Sequence, residues 1–495
     1  MLAAACGGGG VGADAGADTD TDTDADTDTD TDTDADTDVD TDTDTDADAG
    51  AAFTCDEDNA DWTVGLLLCQ DGASDGYTLF APLGGATAYL IDVHGRLVHS
   101  WDLAYPPGQA VYLLTDGRLL ATGAYGESFA VGGHGGVVQE LDWDGAVSWS
   151  FTYSSAEHRQ HHDAVPMPNG DVLLVAWELK SEAEAIAAGR DPSLLSATGE
   201  LWPDSIIEVA PDGAGGAGIV WEWHVWDHLI QDFDPSKANY GVVAHHPELV
   251  DLNCVPNPSG ELYDWLHVNA VDYDAALDQI LVSAHHLSEI WIIDHSTTTA
   301  EAASHAGGHH GVGGDLLYRW GNPQSYGQGD AGDEILGGQH NAAWIDDGLP
   351  GAGDILIFNN KAELGYSSVV EIVPPVDSDG GYEYAGGAYG PAAPVWSYVA
   401  PTPTDLYSDK LSGAQRLSGG GTLICSGTSG RIFEVDADGT IVWEYQDPVS
   451  GGTPLTQGEP PTNTNVFRAP RYAPDYPGLA GKDLTPGDPI ELPAE

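Results

Sequence analysis

Positive charge is what this chain has least of. Its 495 residues hold 14 Lys and Arg against 80 Asp and Glu, a formal net charge of −66. Nucleic-acid binding is therefore not expected, because phosphate contacts need Lys and Arg. Methionine occurs twice and cysteine five times, and no two cysteines form a CxxC pair, which disfavours a structural zinc knuckle. No apolar run is long enough to span a bilayer. No 3.6-residue periodicity is sustained, which excludes a helical solenoid.

Much of the acidity lies in one tract, an Asp-Thr/Ala alternation from Asp18 to Ala49. Strict alternation imitates a strand, but neither face is apolar, so the tract reads as a disordered, self-repelling, extended spacer spanning 7–52. It lacks the glycines and asparagines that shape a calcium loop. Before it, "MLAAACGGGG" carries the small-residue pattern that precedes a lipid-modified cysteine, without the charged and apolar regions of a full secretory signal. The reading is a partial lipoprotein signal ending at Cys6, with the spacer holding a globular domain away from a bacterial membrane. The remainder is acidic too, which fits an extracytoplasmic or high-salt setting. Cys55 and Cys69 are close enough for a local disulfide in an oxidising compartment, and the pairing of Cys254 and Cys425 is open.

What is abundant is aromatic and repetitive. A unit of alternating strand, Asp/Gly turn and Trp-terminated strand recurs at 88–103, 137–151, 205–223, 289–320, 368–398 and 431–445, typified by "VVQELDWDGAVSWSF" and "RIFEVDADGTIVWEY". Each copy is a hairpin signature. A second strand pair recurs between them at 109–123, 161–177, 267–284, 339–360 and 412–427. Two hairpins per unit make four strands, the content of a propeller blade. The expected fold is an all-β, six-bladed β-propeller over 79–450, with a jelly roll as the alternative. One inner strand pair is missing from the pattern, as a blade completed from both chain ends would require. Residues 53–78 form a short N-terminal segment and 451–495 a Pro-rich tail.

Aligning the second strand pairs puts His162 level with His340, and His161 level with His267 and Gln339. Asp163, Asn269 and Asn341 share the next common position. Equivalent positions in a propeller face one axis, so these histidines should converge. Three chemistries suit them: holding a divalent metal, binding an anion, or nucleophilic catalysis with the other side chains stabilising the transferred group. Few carboxylates adjoin them, which argues against metal, although Asp163 leaves that reading open.

The segments "DWLHVNAVDYDAALDQILVSAHHLSEIWIIDHSTT", "YRWGNPQSYGQG" and "GGQHNAAWIDDGLPGAGDILIFNN" resemble the bacterial arylsulfate sulfotransferase family, as do "HHDAVPMPNGDVLLVAWE" and "SGAQRLSGGGTLICSG". The likeness covers about residues 80 to 450. It implies a six-bladed propeller that acts outside the cytoplasm without a cofactor or nucleotide sulfate donor. Such an enzyme moves a sulfuryl group from a phenolic sulfate ester to a phenol through a sulfohistidine. By resemblance His340 is the nucleophile, and His267, Asn269 and either His161 or His162 hold the sulfuryl oxygens. The chain departs from the pattern in "VSAHHL", where His285 stands in place of an expected arginine. Arginine is a permanent, multi-donor cation, whereas histidine is charged only below about pH 6.5. Either His285 acts as imidazolium, or the site binds a different group and sulfuryl transfer is degraded or lost; Arg416 and Lys361 are candidates to supply the charge. Trp344, Tyr273, Tyr326 and Trp177 are candidate aryl contacts. Competing readings are a non-catalytic surface propeller that binds sulfated or aromatic ligands, and a metal-dependent propeller hydrolase.

Overall fold

The computed structural model describes residues 54–254, 263–361 and 364–494. The Cys6 signal and the acidic spacer lie outside the described residues.

Six four-stranded antiparallel units form a six-bladed β-propeller. Blade 2 comprises Pro107–Leu113, Leu119–Ala124, Gly136–Leu141 and Val147–Thr152. Blade 3 comprises His158–Pro166, Val172–Glu178, Asp204–Pro211 and Ala217–His224. Blade 4 runs Val268–Asp274, Gln279–Ala284, Glu289–Asp294 and Leu316–Trp320, and blade 5 runs His340–Trp344, Ile355–Asn359, Ser368–Ile372 and Trp396–Tyr398. Blade 6 holds Gly413–Arg416, Thr422–Ser426, Arg431–Val435 and Ile441–Gln446, extended outward by Gly65–Cys69 and Glu57–Asp58. In blade 1, Tyr77–Phe80, Thr87–Asp92 and Leu97–Asp102 receive their inner strand, Arg471–Tyr472, from the C-terminal tail. The sheets thus reach beyond 79–450 at both ends, and the missing inner strand is found in the tail. A disulfide joins Cys55 to Cys69 within the outer extension of blade 6, while Cys254 and Cys425 are free thiols.

The recurring tryptophan has a physical reason. Each blade's two faces are apolar and pack against its neighbours, so the outermost strand must seal the joint. Trp101 donates its indole N–H to Asp142 O of the next blade's turn at 3.1 Å. Trp223 donates to Gly314 O at 2.7 Å, Trp320 to Pro391 O at 2.7 Å, and Trp443 to Val93 O at 2.7 Å. Each ring buries a large apolar surface while its one donor reaches a backbone carbonyl across the joint. The joint between blades 6 and 1 therefore uses the same device as those between blades 1 and 2, 3 and 4, and 4 and 5.

That closing joint also carries a buried ion pair. Arg471 Nη1 donates to Glu434 Oε2 at 2.6 Å and to Ser74 O at 3.0 Å, its Nε donates to Thr78 Oγ1 at 3.1 Å, and its guanidinium lies over Trp443. Removing one member of such a pair strands a buried charge, which costs about 3–5 kcal/mol, while removing both costs less. Arg471→Met should therefore lower stability by about that amount in urea unfolding, and Arg471→Met with Glu434→Leu should recover part of it. Equal loss in the single and double variants would contradict this closure.

Candidate functional site

Inner strands begin at one end of the central channel, and there the backbone bends. The inner-strand pairing is irregular between Pro107 and Val111, Gln160 and Ala164, Val268 and Ala270, and His340 and Ala343. A left-handed residue sits in or beside each bulge: Gln109 (φ 112°), His162 (φ 50°), His267 (φ 52°) and Asn341 (φ 49°). Such conformations are costly for non-glycine residues and persist only where surrounding bonds fix them. A bulge re-aims side chains. His162 is itself the left-handed residue, whereas His340 precedes one, so the two histidines leave their strands differently.

The bulges, with the 3-10 turn His285–Leu287, bring six imidazoles into one continuous arc. Ring centroids are 5.2 Å apart for His161–His162, 4.6 Å for His162–His267, 5.3 Å for His267–His285 and 4.9 Å for His285–His340. His286 lies 4.9 Å from His267 and 5.1 Å from His285. Every histidine expected at the site is present in the arc, and His286 joins them. Between His161 and His162, it is His162 that faces the cluster. His161 stands behind it, stacked on Trp177 at 3.7 Å with its Nε2 2.9 Å from Asp204 Oδ1. Its Nδ1 meets His162 Nδ1 at 2.8 Å. Gly133 packs so close to the His162 ring that a Cβ there would lie 1.9 Å from its Cε1.

His340 is buried and held at both nitrogens. Nδ1 lies 2.9 Å from Asn360 Oδ1, so it carries the proton, and Nε2 accepts the Leu411 N–H at 3.1 Å. This tautomer puts the lone pair on Nε2. Asn269 donates from Nδ2 to Gln339 O at 2.8 Å, and its buried Oδ1 has no partner. His267 Nδ1 lies 2.5 Å from Asp264 Oδ2, and His286 Nδ1 lies 2.9 Å from Asp264 O. Asp264 also accepts the Trp177 indole N–H at 3.0 Å.

Burial dominates the electrostatics. It pushes His340 down to about 3, with the charges of His267 and Arg468 adding to the effect and the bond to Asn360 opposing it. It drives His285 well below the usual range, helped by His340, His286 and His267, so its uncharged form is favoured. His161, His162 and His286 are lowered for the same first reason. Burial, with the nearby Asp264, raises Asp204 well above the carboxylate range, so it and His161 both favour their uncharged forms.

Arg416 is not the cation beside the arc. Arg416 is paired with Glu371 at 2.5 Å and lies over Trp396. Arg468 reaches the site instead, from the tail. Its Nη1 donates to Asp163 Oδ2 at 2.6 Å and Tyr112 OH at 2.9 Å, and its Nη2 to Asn269 O at 3.1 Å. The empty first-blade inner strand was the sequence signal for it, because whatever fills that place must cross the channel. Of the aromatic candidates, Trp177 backs His161. Tyr273 is bonded to Asp278 and Tyr326 packs under Arg319, both away from the arc. Trp344 lines a cavity of about 500 Å³ towards the other end of the inner strands, with Tyr112, Asn341, Arg416, Arg468 and Tyr472. None of that cavity's lining residues is a histidine.

A propeller with an arc of closely packed imidazoles at one channel mouth, His161, His162 and His340 of them buried, defines a class of site suited to nucleophilic or ligating chemistry. The chain belongs to the arylsulfotransferase (ASST) family, whose model matches residues 84–446. No curated protein matches the sequence. Among solved structures it is similar to a Bacteroides caccae protein of unknown function, at 13% identity over 80% of this chain and 98% of that one, with a TM-score of 0.43. It is also similar to Staphylococcus aureus virginiamycin B lyase (9% identity, 78% and 88% covered, TM-score 0.36). A third is the Cps50 (Swd1) β-propeller domain of Myceliophteria thermophila (9%, 81% and 90%, TM-score 0.38). These likenesses are too distant to bear on the site.

A depressed imidazole pKa has a consequence for stability. Unfolding returns each ring to its ordinary value, so the unfolded chain binds more protons between that value and the folded one. The stabilisation is fully present above about pH 6.5 and is lost as pH falls towards about 3 for His340. Urea midpoints should fall from about pH 7 to about pH 4.5, and less steeply in His340→Asn, by up to about 1.4 kcal/mol per pH unit. Parallel pH profiles would contradict the assignment.

Proposed function

We propose that the chain moves a sulfuryl group from a phenolic sulfate ester to a phenol acceptor through a sulfohistidine at His340. The arc of imidazoles around a Nε2 lone pair, in a chain of the arylsulfotransferase family, carries this reading. In the first half-reaction His340 Nε2 attacks sulfur, the S–O(aryl) bond breaks, and the phenolate leaves and takes up a proton. Nδ1 keeps its proton, facing Asn360 Oδ1, so the charge that develops on the sulfated ring meets an acceptor. The Leu411 N–H, which Nε2 accepts in the resting site, then faces the oxygens of the transferred group. His162, His267 and His285 surround the same space, and Asn269 holds the backbone of Gln339 beside it. In the second half-reaction a phenol oxygen attacks the sulfuryl group, loses its proton and restores neutral His340. Phe467, 6.1 Å from the His162 ring, offers an apolar wall for an aryl group.

His340 is neutral through the physiological range, so no deprotonation limits its nucleophilicity. An extracytoplasmic setting is part of the proposal and is supported by the Cys55–Cys69 disulfide. Attachment through a lipid on Cys6 belongs to the same reading. Among the described residues no helix is long and apolar enough to cross a membrane.

An activated phenyl sulfate with a phenol acceptor should give sulfated acceptor with ping-pong kinetics, and His340→Ala and His340→Asn should lower kcat by about 10³-fold or more. Full transfer by either variant would overturn the nucleophile assignment.

A further inference from the structure

Away from the arc, at the outer edge of the sheets, three further side chains converge. His228 follows the outermost strand of blade 3, Ala217–His224, and Asp315 immediately precedes that of blade 4, Leu316–Trp320. His305 stands earlier on the glycine-rich loop that leads into Asp315. His228 Nδ1 lies 2.8 Å and His305 Nδ1 2.7 Å from the same oxygen, Asp315 Oδ1. The potential ligand atoms of the three residues all lie within 4.8 Å of one another. The two rings stand nearly perpendicular, with centroids 5.8 Å apart, so neither blocks the other.

Bonds outside the cluster settle which nitrogen is available. His228 Nε2 donates to Ala302 O at 2.7 Å, at the end of the short helix Thr299–Ala302. A carbonyl only accepts, so Nε2 carries the proton and, in the neutral ring, Nδ1 carries the lone pair. That lone pair faces a carboxylate oxygen, a repulsive contact unless a second proton or a cation stands there. A backbone carbonyl on the far nitrogen is the partner that orients metal-ligating histidines. His228 is fully buried, and the Trp223 ring lies parallel to it while its indole N–H donates to Gly314 O at 2.7 Å. The loop is folded to reach this point, with Gly314 N–H donating to Ser304 O at 3.0 Å. A Cβ at Gly314 would lie 2.0 Å from Ala302 O and 2.6 Å from His228 Nε2, so only glycine lets the chain pass the ring and deliver Asp315. The His305 side chain is 60% exposed, which gives an ion a path from solvent.

We infer that His228, His305 and Asp315 form a binding site for one divalent transition-metal ion of the zinc kind. Two imidazole nitrogens and a carboxylate, with water in the fourth position, suit such an ion, whereas magnesium and calcium take oxygen ligands. Ligands on one tetrahedral ion at about 2.0–2.2 Å stand about 3.3 Å apart, so the Nδ1–Oδ1 contacts open by about half an ångström to admit it. The bound ion ties the segment after blade 3 to the hairpin loop of blade 4, across the joint that Trp223 seals. A net charge of −66 draws divalent cations to the chain. The site is independent of the transferase reading.

The test takes the full chain, stripped of metal with a chelator, and titrates it with Zn²⁺ against a chromophoric chelator strong enough to outcompete sites made of carboxylates alone. One ion per chain is expected, undisturbed by excess Mg²⁺, and the melting temperature should rise with Zn²⁺. His305→Ala changes an exposed side chain and should melt like wild type without metal, bind Zn²⁺ about tenfold or more weakly, and lose the Zn²⁺-dependent rise. Asp315→Asn keeps an acceptor for both rings but removes the charge, and should weaken binding by a similar factor. His286→Asn, in the arc, should leave stoichiometry and affinity unchanged. Failure of wild type to take Zn²⁺ from the chelator would mean a hydrogen-bonded cluster only and overturns the site. Binding kept in His305→Ala, or lost in His286→Asn, overturns it equally.

Discussion

The inner strands of a propeller run side by side around an axis without pairing to one another, so their backbone groups face the channel unsatisfied unless side chains bridge them. This chain solves that requirement blade by blade. Asp163 Oδ2 accepts the Val271 N–H at 3.2 Å, and Asn269 donates to Gln339 O at 2.8 Å. Asp272 accepts the Trp344 N–H at 2.8 Å, Asn341 the Ala414 N–H at 2.9 Å, and Gln415 the Arg471 N–H at 2.7 Å. His340 belongs to the same series, since its Nε2 accepts the Leu411 N–H. A buried backbone donor left unmade costs about 1–3 kcal/mol, so this ring of bonds fixes where each strand starts. The functional arc is built on that framework, and its precision follows from it.

The arrangement explains why residues that look catalytic in the sequence serve structure as well. Asn269 and Asn341 occupy equivalent inner-strand positions because each bridges to the next blade. His340 is rigid because both of its nitrogens are bonded, and a rigid, neutral imidazole with a defined tautomer is well placed as a nucleophile. The chain packs six imidazoles in contact, and desolvation favours the uncharged form of His161, His162, His285, His286 and His340. The Leu411 N–H stands at His340 Nε2 as a backbone donor.

The fold was legible because its signals repeat. The outer-strand residues Trp101, Trp223, Trp320 and Trp443 each seal a joint between blades with one bond geometry, four times over. The convergence of the histidines was legible for the same reason. Partners that do not repeat were hidden. Arg468 sits in a tail with no hairpin pattern, and its role follows only from ring closure. Asp264 precedes its strand by a few residues and bonds through both side chain and backbone, which spacing does not encode. His286 lies on the 3-10 turn His285–Leu287, outside the positions that repeat from blade to blade. The bulge at the strand entries shifts which residue faces the axis, so alignment placed His162 level with His340 while the backbone places the left-handed turn one residue apart.

The central claim is that the transferred group rests on one particular nitrogen. Rapid quenching of the protein with an aryl sulfate and no acceptor, followed by peptide mass spectrometry, addresses it most directly. The account predicts an acid-labile gain of one sulfuryl group on the peptide that carries His340, discharged on adding a phenol. Turnover without any such adduct, or an adduct confined to another residue, would contradict it.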